Sequence, residues 1–115
     1  MISNPNSGEL TSMELALLHR FWGLYGCSGF PTPDHITLQR REDSGAGRYL
    51  TLSSDCEVQM RDGYYDMGGA FVELSCLEDG LMAVIAVENG RIRSLEMTPY
   101  GDTGWSGDEA GWRIV

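Results

Sequence analysis

The 115-residue chain contains no lysine, and its eight basic residues, all arginines, are outnumbered by seventeen acidic ones. The net charge of −9 repels phosphate groups, which argues against direct binding to nucleic acid or to an anionic membrane. The imbalance belongs to residues 55–115, where twelve acids meet four arginines, a balance of −8. Such a surface attracts a basic protein, although acidity of this kind also serves solubility alone.

Cysteine is scarce, and long apolar runs are absent. Cys27, Cys56 and Cys76 form no CxxC pair and are odd in number, which fits a disulfide framework poorly. No stretch approaches the roughly 18 apolar residues of a membrane span, and the opening MISNPNSGEL lacks the basic and apolar regions of a signal peptide. We expect a cytoplasmic protein with reduced thiols and no membrane contact, in which Cys76 is buried on a strand with Val72 and Leu74.

Length and composition fit one ordinary globular domain. Apolar residues make up 42% of the chain and charged residues 22%, both close to globular averages. A chain of this length can bury one hydrophobic core without the additional stabilisation of disulfides or bound metals. We therefore expect residues 1–115 to form a single domain, with residues 1–9 as a poorly ordered N-terminal tail.

The segment LTSMELALLHRFWGLYG carries the start and stop signals of one helix. Thr11 and Glu14 have the spacing of a capping box, and Gly26 stops the apolar pattern. These signals predict a helix over residues 12–25. Its apolar face is wide, so that a sheet is needed to cover it.

Alternating apolar residues predict strands in the rest of the chain. HITLQRR and GRYLTLS indicate a strand pair, and CEVQMRDGYY indicates a further short strand. Within residues 70–97, the Asp-Gly pair at 79–80 and the Asn-Gly pair at 89–90 are typical of two-residue turns. They predict a three-stranded antiparallel meander in which Leu74 faces Ile85, with a β-bulge near residues 93–94.

These elements predict an α+β fold, with the N-terminal helix packed on a mainly antiparallel sheet. The core is expected to include nine apolar residues from the helix and the meander. They are Leu15, Leu18, Phe21, Trp22, Val72, Leu74, Ile85, Val87 and Leu95.

The same segments resemble an uncharacterised family of small bacterial domains. Its members open with an "LT..E..LL" helix, here LTSMELALLHRF, and close with a hairpin "dG.l..LE....dG", here NGRIRSLEMTPYGD. DCEVQMRDG and GGAFVELSCLEDG look like the middle strands of such domains. The resemblance covers roughly residues 10–103, and the chain departs from it in the loop 23–29 and in the tail WSGDEAGWRIV. It implies an α+β fold without an assigned activity, and related small domains are sometimes encoded beside bacterial toxins.

No motif dictates a reaction, and we expect no catalytic residue, metal or cofactor. Cys27 lies eight residues before His35, so that a thiol and an imidazole could pair in a folded loop, but no third orienting group is identifiable. The histidines and cysteines match no metal-ligand spacing, and no glycine-rich segment has the pattern that cradles phosphate. The alternative function is a hydrolase using Cys27 and His35, or a small ligand-binding domain with an apolar cavity.

The segment after Leu95 interleaves acids with large aromatic side chains, a composition typical of interface hot spots. The predicted contact residues are Glu96, Tyr100, Asp102, Trp105, Asp108 and Glu109. In a second interpretation, Trp105 and Trp112 fold back and close the open end of the core. The predicted function is non-enzymatic binding of a basic protein, for instance immunity-type inhibition of a toxin. The oligomeric state is left open.

Overall fold

The computed structural model describes residues 9–25, 36–55, 57–58, 60–101 and 103–115. Within these ranges it contains one helix and seven strands, and every strand pairing is antiparallel. The elements are α1 (Ser12–Tyr25), β1 (Ile36–Asp43), β2 (Arg48–Ser54), β3 (Gly63–Asp66), β4 (Val72–Leu74), β5 (Leu77–Glu88), β6 (Arg91–Pro99) and β7 (Arg113–Ile114). The predicted α+β class is confirmed.

The strands form one sheet in the order β1-β2-β6-β5-β4-β7. The long strand β5 pairs with β6 along one edge. Its other edge is shared, because β4 pairs with its first half and β3 with its second half. The helix α1 covers one face of this sheet, and the residues between them form one core cluster.

The helix has the predicted bounds. Its start is a capping box, in which the Glu14 backbone N–H donates to Thr11 Oγ1 (3.1 Å) and the Thr11 N–H donates to Glu14 Oε1 (2.9 Å). Its buried face includes Glu14 and Leu18, whereas Leu15 is 36% exposed. The prediction of Leu15 as a core residue is therefore wrong. Successive helical residues lie about 100° apart, so turning Glu14 inward carries Leu15 toward solvent.

The second predicted turn of the sheet is confirmed, and the first is wrong. Asn89 and Gly90 join β5 to β6, and one extra residue, Arg93, lies between the pairs Val87↔Ile92 and Ala86↔Ser94. The Asp-Gly pair at 79–80 makes no turn, since β5 runs unbroken through it and Leu74 pairs with Leu77 rather than Ile85. The predicted meander over residues 70–97 is therefore not confirmed.

Three further expectations differ from the structure. The short strand expected in CEVQM is not seen in its described residues, and the strand there is β3, after Asp62. Cys76 is exposed rather than buried, because it lies in the tight turn between β4 and β5. The tail adds a strand that local periodicity did not indicate: β7 pairs with β4 through Val72↔Ile114 and Glu73↔Arg113.

Of the nine predicted core residues, those other than Leu15 and Trp22 are buried, and Trp22 packs partly buried against the cluster. Trp105 also belongs to the core, at 2% exposed. This agrees with the interpretation in which the tail closes one end of the core. No helix in the described residues is long and apolar enough to cross a membrane.

Candidate functional site

Three acidic side chains line a cavity at the end of the sheet where β4 turns into β5. A groove of about 510 Å³ opens there. We call it the acidic groove, and its lining residues are Phe71, Glu73, Leu74, Ser75, Leu77, Glu78, Asp79, Gly80 and Gly111. Phe71, Leu74 and Leu77 supply apolar surface beside three acids, a combination suited to a long side chain with a cationic end.

A bulge in β5 brings two of these acids to the groove. Between the pairs Val72↔Leu81 and Leu74↔Leu77, β5 has four residue steps where β4 has two, so residues 78–80 are looped out of the ladder. Gly80 makes this possible, with a φ of 78° and a position where a Cβ would lie 2.5 Å from the Val72 carbonyl oxygen. Bulges re-aim side chains, and this one exposes Glu78 and Asp79.

The tail forms the other side of the groove. The Ser75 N–H donates to the Ala110 carbonyl oxygen (3.0 Å), and the Cys76 thiol lies 3.5 Å from the Asp108 carbonyl oxygen. Gly111, with a φ of 71°, passes so close to Ser75 that a Cβ would lie 2.2 Å from its hydroxyl oxygen. Two glycines at positive φ therefore allow close approaches: Gly80 lets β5 approach β4, and Gly111 lets the tail approach the β4–β5 turn.

The charges around the groove are unevenly compensated. Glu73 forms an ion pair with Arg113 across the β4–β7 pairing. In the part of the chain that the structure describes, Glu78 and Asp79 have no arginine within ion-pair distance. The groove therefore carries two exposed carboxylates that are available to a cation from outside.

A second charged region lies beneath the helix, with Glu14, Arg41 and Arg48 buried and Asp43 and Glu109 at its edge. We call it the buried ion network, and it consists of Glu14, Arg41, Asp43, Arg48 and Glu109. Glu14 Oε2 accepts hydrogen bonds from Arg41 Nε (2.8 Å) and Arg48 Nη1 (3.0 Å), and the Glu14 side chain is fully buried. These charge-assisted hydrogen bonds join α1 to β1 and β2.

Arg48 fastens the tail to this network. It donates to Asp43 Oδ1 (2.8 Å) and to the Gly107 carbonyl oxygen (3.0 Å), contacts Glu109, and lies 4.6 Å from the Trp105 ring centre. Burial by itself would lower the pKa of Arg48, but its hydrogen bonds to Glu109 and Asp43 outweigh that effect and raise the pKa. The guanidinium therefore stays charged and holds the tail as a cation.

The predicted contact residues divide between these two regions and the sheet surface. Tyr100 is exposed and belongs to the acidic-groove end, because its N–H donates to the Gly80 carbonyl oxygen (2.9 Å) and its ring meets Phe71 edge-on. Asp108 is also exposed, and its carbonyl oxygen lies beside Cys76 of the β4–β5 turn.

The remaining contact residues lie elsewhere. Glu96 is exposed on the face of the sheet opposite α1, across from Tyr49. Trp105 and Glu109 face inward, and the Trp105 Nε1–H donates to the Asp108 carbonyl oxygen (3.0 Å). Both side chains therefore anchor the tail to the interior of the protein rather than presenting it to solvent. Asp102 lies outside the described residues.

Reasoning from the sequence did not identify Glu78 and Asp79 as site residues or Arg48 as a buried one. Asp79 was assigned to a turn, because an Asp-Gly pair is the commonest turn signal and a bulge has the same local composition. Arg48 was detectable, since it alternates in phase with Leu50 and Leu52 and so shares their inward face.

The residues of the alternative function, Cys27 and His35, lie outside the described residues. Over the described ranges, no group of three histidine, cysteine, aspartate or glutamate side chains is arranged to hold a metal ion. Comparison of the chain with protein-family models, with curated proteins and with solved structures finds no match. The functional argument therefore depends on the geometry of this chain.

Proposed function

We propose that this protein acts by binding a basic protein through the acidic groove, without catalysing a reaction, in the manner of an immunity-type inhibitor. The observation that carries the proposal is the pair of exposed carboxylates that the β5 bulge presents in a groove partly lined by Phe71, Leu74 and Leu77. An inhibitor of this kind needs a complementary surface and a fast on-rate, and clustered acids supply both.

The surroundings of the groove support this role. Tyr100 presents a partly exposed ring next to Phe71, and aromatic rings of this kind give rigid contact area in interfaces. Asp108 adds a third exposed acid at the same end. Behind this surface, Arg48 holds Trp105 and Glu109 in place, so the tail is ordered before a partner arrives. We propose that the contact surface comprises Glu78, Asp79, Tyr100 and Asp108.

The test is affinity capture from a host-cell lysate, with the captured proteins identified by mass spectrometry. The groove variant carries Glu78→Gln, Asp79→Asn and Asp108→Asn. The matched control removes the same number of charges from exposed acids outside the groove, by Glu9→Gln, Glu42→Gln and Glu57→Gln.

We expect the wild type and the control to capture a basic protein at low salt, and the groove variant to lose it. Capture by the wild type should also fail near 1 M salt, where the screening length falls to about 3 Å. A partner that the groove variant retains at both salt concentrations would contradict the proposal, as would a captured partner that is acidic.

A further inference from the structure

The face of the sheet opposite α1 carries two exposed tyrosines with a shallow depression between them. Tyr64 on β3 is 80% exposed and Tyr49 on β2 is 42% exposed. Both line a cavity of about 450 Å³ that shares no lining residue with the acidic groove. We call this cavity the outer trough.

The floor of the outer trough is a row of small side chains on neighbouring strands. The pairings Thr51↔Ser94, Ser94↔Ala86 and Ala86↔Tyr64 place these residues side by side across β2, β6, β5 and β3. Directly paired residues point to the same face of a sheet, so the row ends at Tyr64 with nothing larger than threonine before it. The floor is therefore low between its two tyrosine walls.

The width of the outer trough selects the shape of its occupant. The strands that carry Tyr49 and Tyr64, β2 and β3, are three strand spacings apart, about 14 Å, and the two tyrosines are offset by two residues along the strands. An α-helix with its side chains is about 10–12 Å across, so one helix lying along the strands fills this width. A single extended strand would leave part of the floor uncovered.

The charges around the outer trough select the chemistry of the occupant. Asp62 lines the trough, Glu96 is exposed across from Tyr49, and the lining Arg93 is already paired with Glu88 at 3.6 Å. The rim is therefore negative, and the faces of the two tyrosines can accept a guanidinium or ammonium group.

We propose that the outer trough is a docking surface for an amphipathic helix of a partner protein, with alanine or leucine against the floor and arginine or lysine along both flanks. The proposal goes beyond the acidic groove, because it requires none of that groove's residues. It also gives Glu96 a role, as an acid on the flank of the docked helix.

The probe is a hydrocarbon-stapled helical peptide of about 15 residues with an alanine-leucine face and arginine flanks, since unstapled helices of this length are marginal in water. A matched peptide replaces every arginine with glutamate. Binding to the full chain is measured by fluorescence anisotropy, and the site is mapped by amide chemical-shift changes.

We expect the arginine peptide to bind, with shifts at Thr51, Ala86 and Ser94, and the glutamate peptide not to bind. Ala86→Gln raises the floor and Tyr64→Ser removes a wall, and each should weaken binding about tenfold. Tyr64 is so exposed that Tyr64→Ser should fold normally, which keeps the test decisive if Ala86→Gln does not. Tyr100→Ser, at the acidic groove, is the matched control and should bind like the wild type.

Four results would overturn the proposal. In the first, saturating peptide causes no chemical-shift change in the outer trough, and in the second, the glutamate peptide binds as well as the arginine peptide. In the third, the same residues shift with protein concentration in the absence of peptide. In the fourth, Tyr100→Ser loses binding. The third result would mean that a second copy of this chain covers the face. The fourth would move the peptide to the acidic groove and leave the proposed function standing.

Discussion

The buried ion network and the acidic groove use the same kind of residue for opposite purposes. Glu14 is fully buried and binds two arginines, whereas Glu78 and Asp79 are exposed on a bulge without a described arginine partner. The carboxylate of Glu14 is needed to keep two guanidinium groups satisfied inside the protein. Among the described residues the Glu78 and Asp79 carboxylates have no arginine partner, and this difference supports our proposal that they bind a partner protein.

The largest effect should come from breaking the buried ion network. We expect Glu14→Ala to lower the free energy of unfolding by about 3–5 kcal/mol, because it leaves Arg41 and Arg48 buried without their shared partner. Urea denaturation measures the loss. The control is Glu73→Ala, which breaks the exposed pair with Arg113 and should cost about 1 kcal/mol or less. If Glu14→Ala and Glu73→Ala lowered the free energy of unfolding equally, buried and exposed carboxylates would not differ in their contribution to stability.

The apolar core is the reference against which the network is judged. Leu18→Ala and Ile85→Ala should each cost about 2–5 kcal/mol, since both side chains are fully buried. Leu15→Ala on the same helix is the control, and its loss should be well below that of Leu18→Ala because Leu15 is partly exposed. A loss under about 0.5 kcal/mol at both buried sites would exclude them from the core.

A smaller effect is expected where the network meets the tail. Glu109→Ala removes a charged acceptor from Arg48 and should cost about 1.5–3 kcal/mol by thermal or urea unfolding. The neighbouring Asp108→Asn keeps an acceptor for the Ala110 N–H and should change stability little. If Asp108→Asn were the more damaging of the two, the tail would be held by its own turns rather than by Arg48.

The smallest effect on stability is expected in the acidic groove. Glu78→Gln combined with Asp79→Asn should leave the free energy of unfolding within about 0.5 kcal/mol of the wild type, because both side chains are exposed. The same double change should abolish capture of a basic partner. A large stability loss would show that these acids are structural after all, and the contrast with Glu14 would be lost.

Patterns confined to neighbouring residues were sufficient for part of the fold. The capping box at Thr11 and Glu14 predicted the first helical residue, and the Asn89-Gly90 pair predicted the turn between β5 and β6, because each depends on hydrogen bonds and dihedral preferences a few residues long. The predicted contact set was only partly informative about the site. It included the exposed Tyr100 and Asp108, but also Trp105, which is in the core.

The sequence by itself determined the acidic balance, the helix with its bounds and the α+β class, since composition, capping and alternation are local properties. Only the tertiary structure decided that Glu14 lies inside, that residues 78–80 form a bulge and that the tail completes the sheet. The burial of Glu14 and the pairing of the tail depend on partners far away along the chain: Glu14 and Arg48 are 34 positions apart, and Glu73 and Arg113 are 40 apart. Local preferences leave such pairings undetermined, because burial of a charge is favourable only where the complementary group arrives from another element.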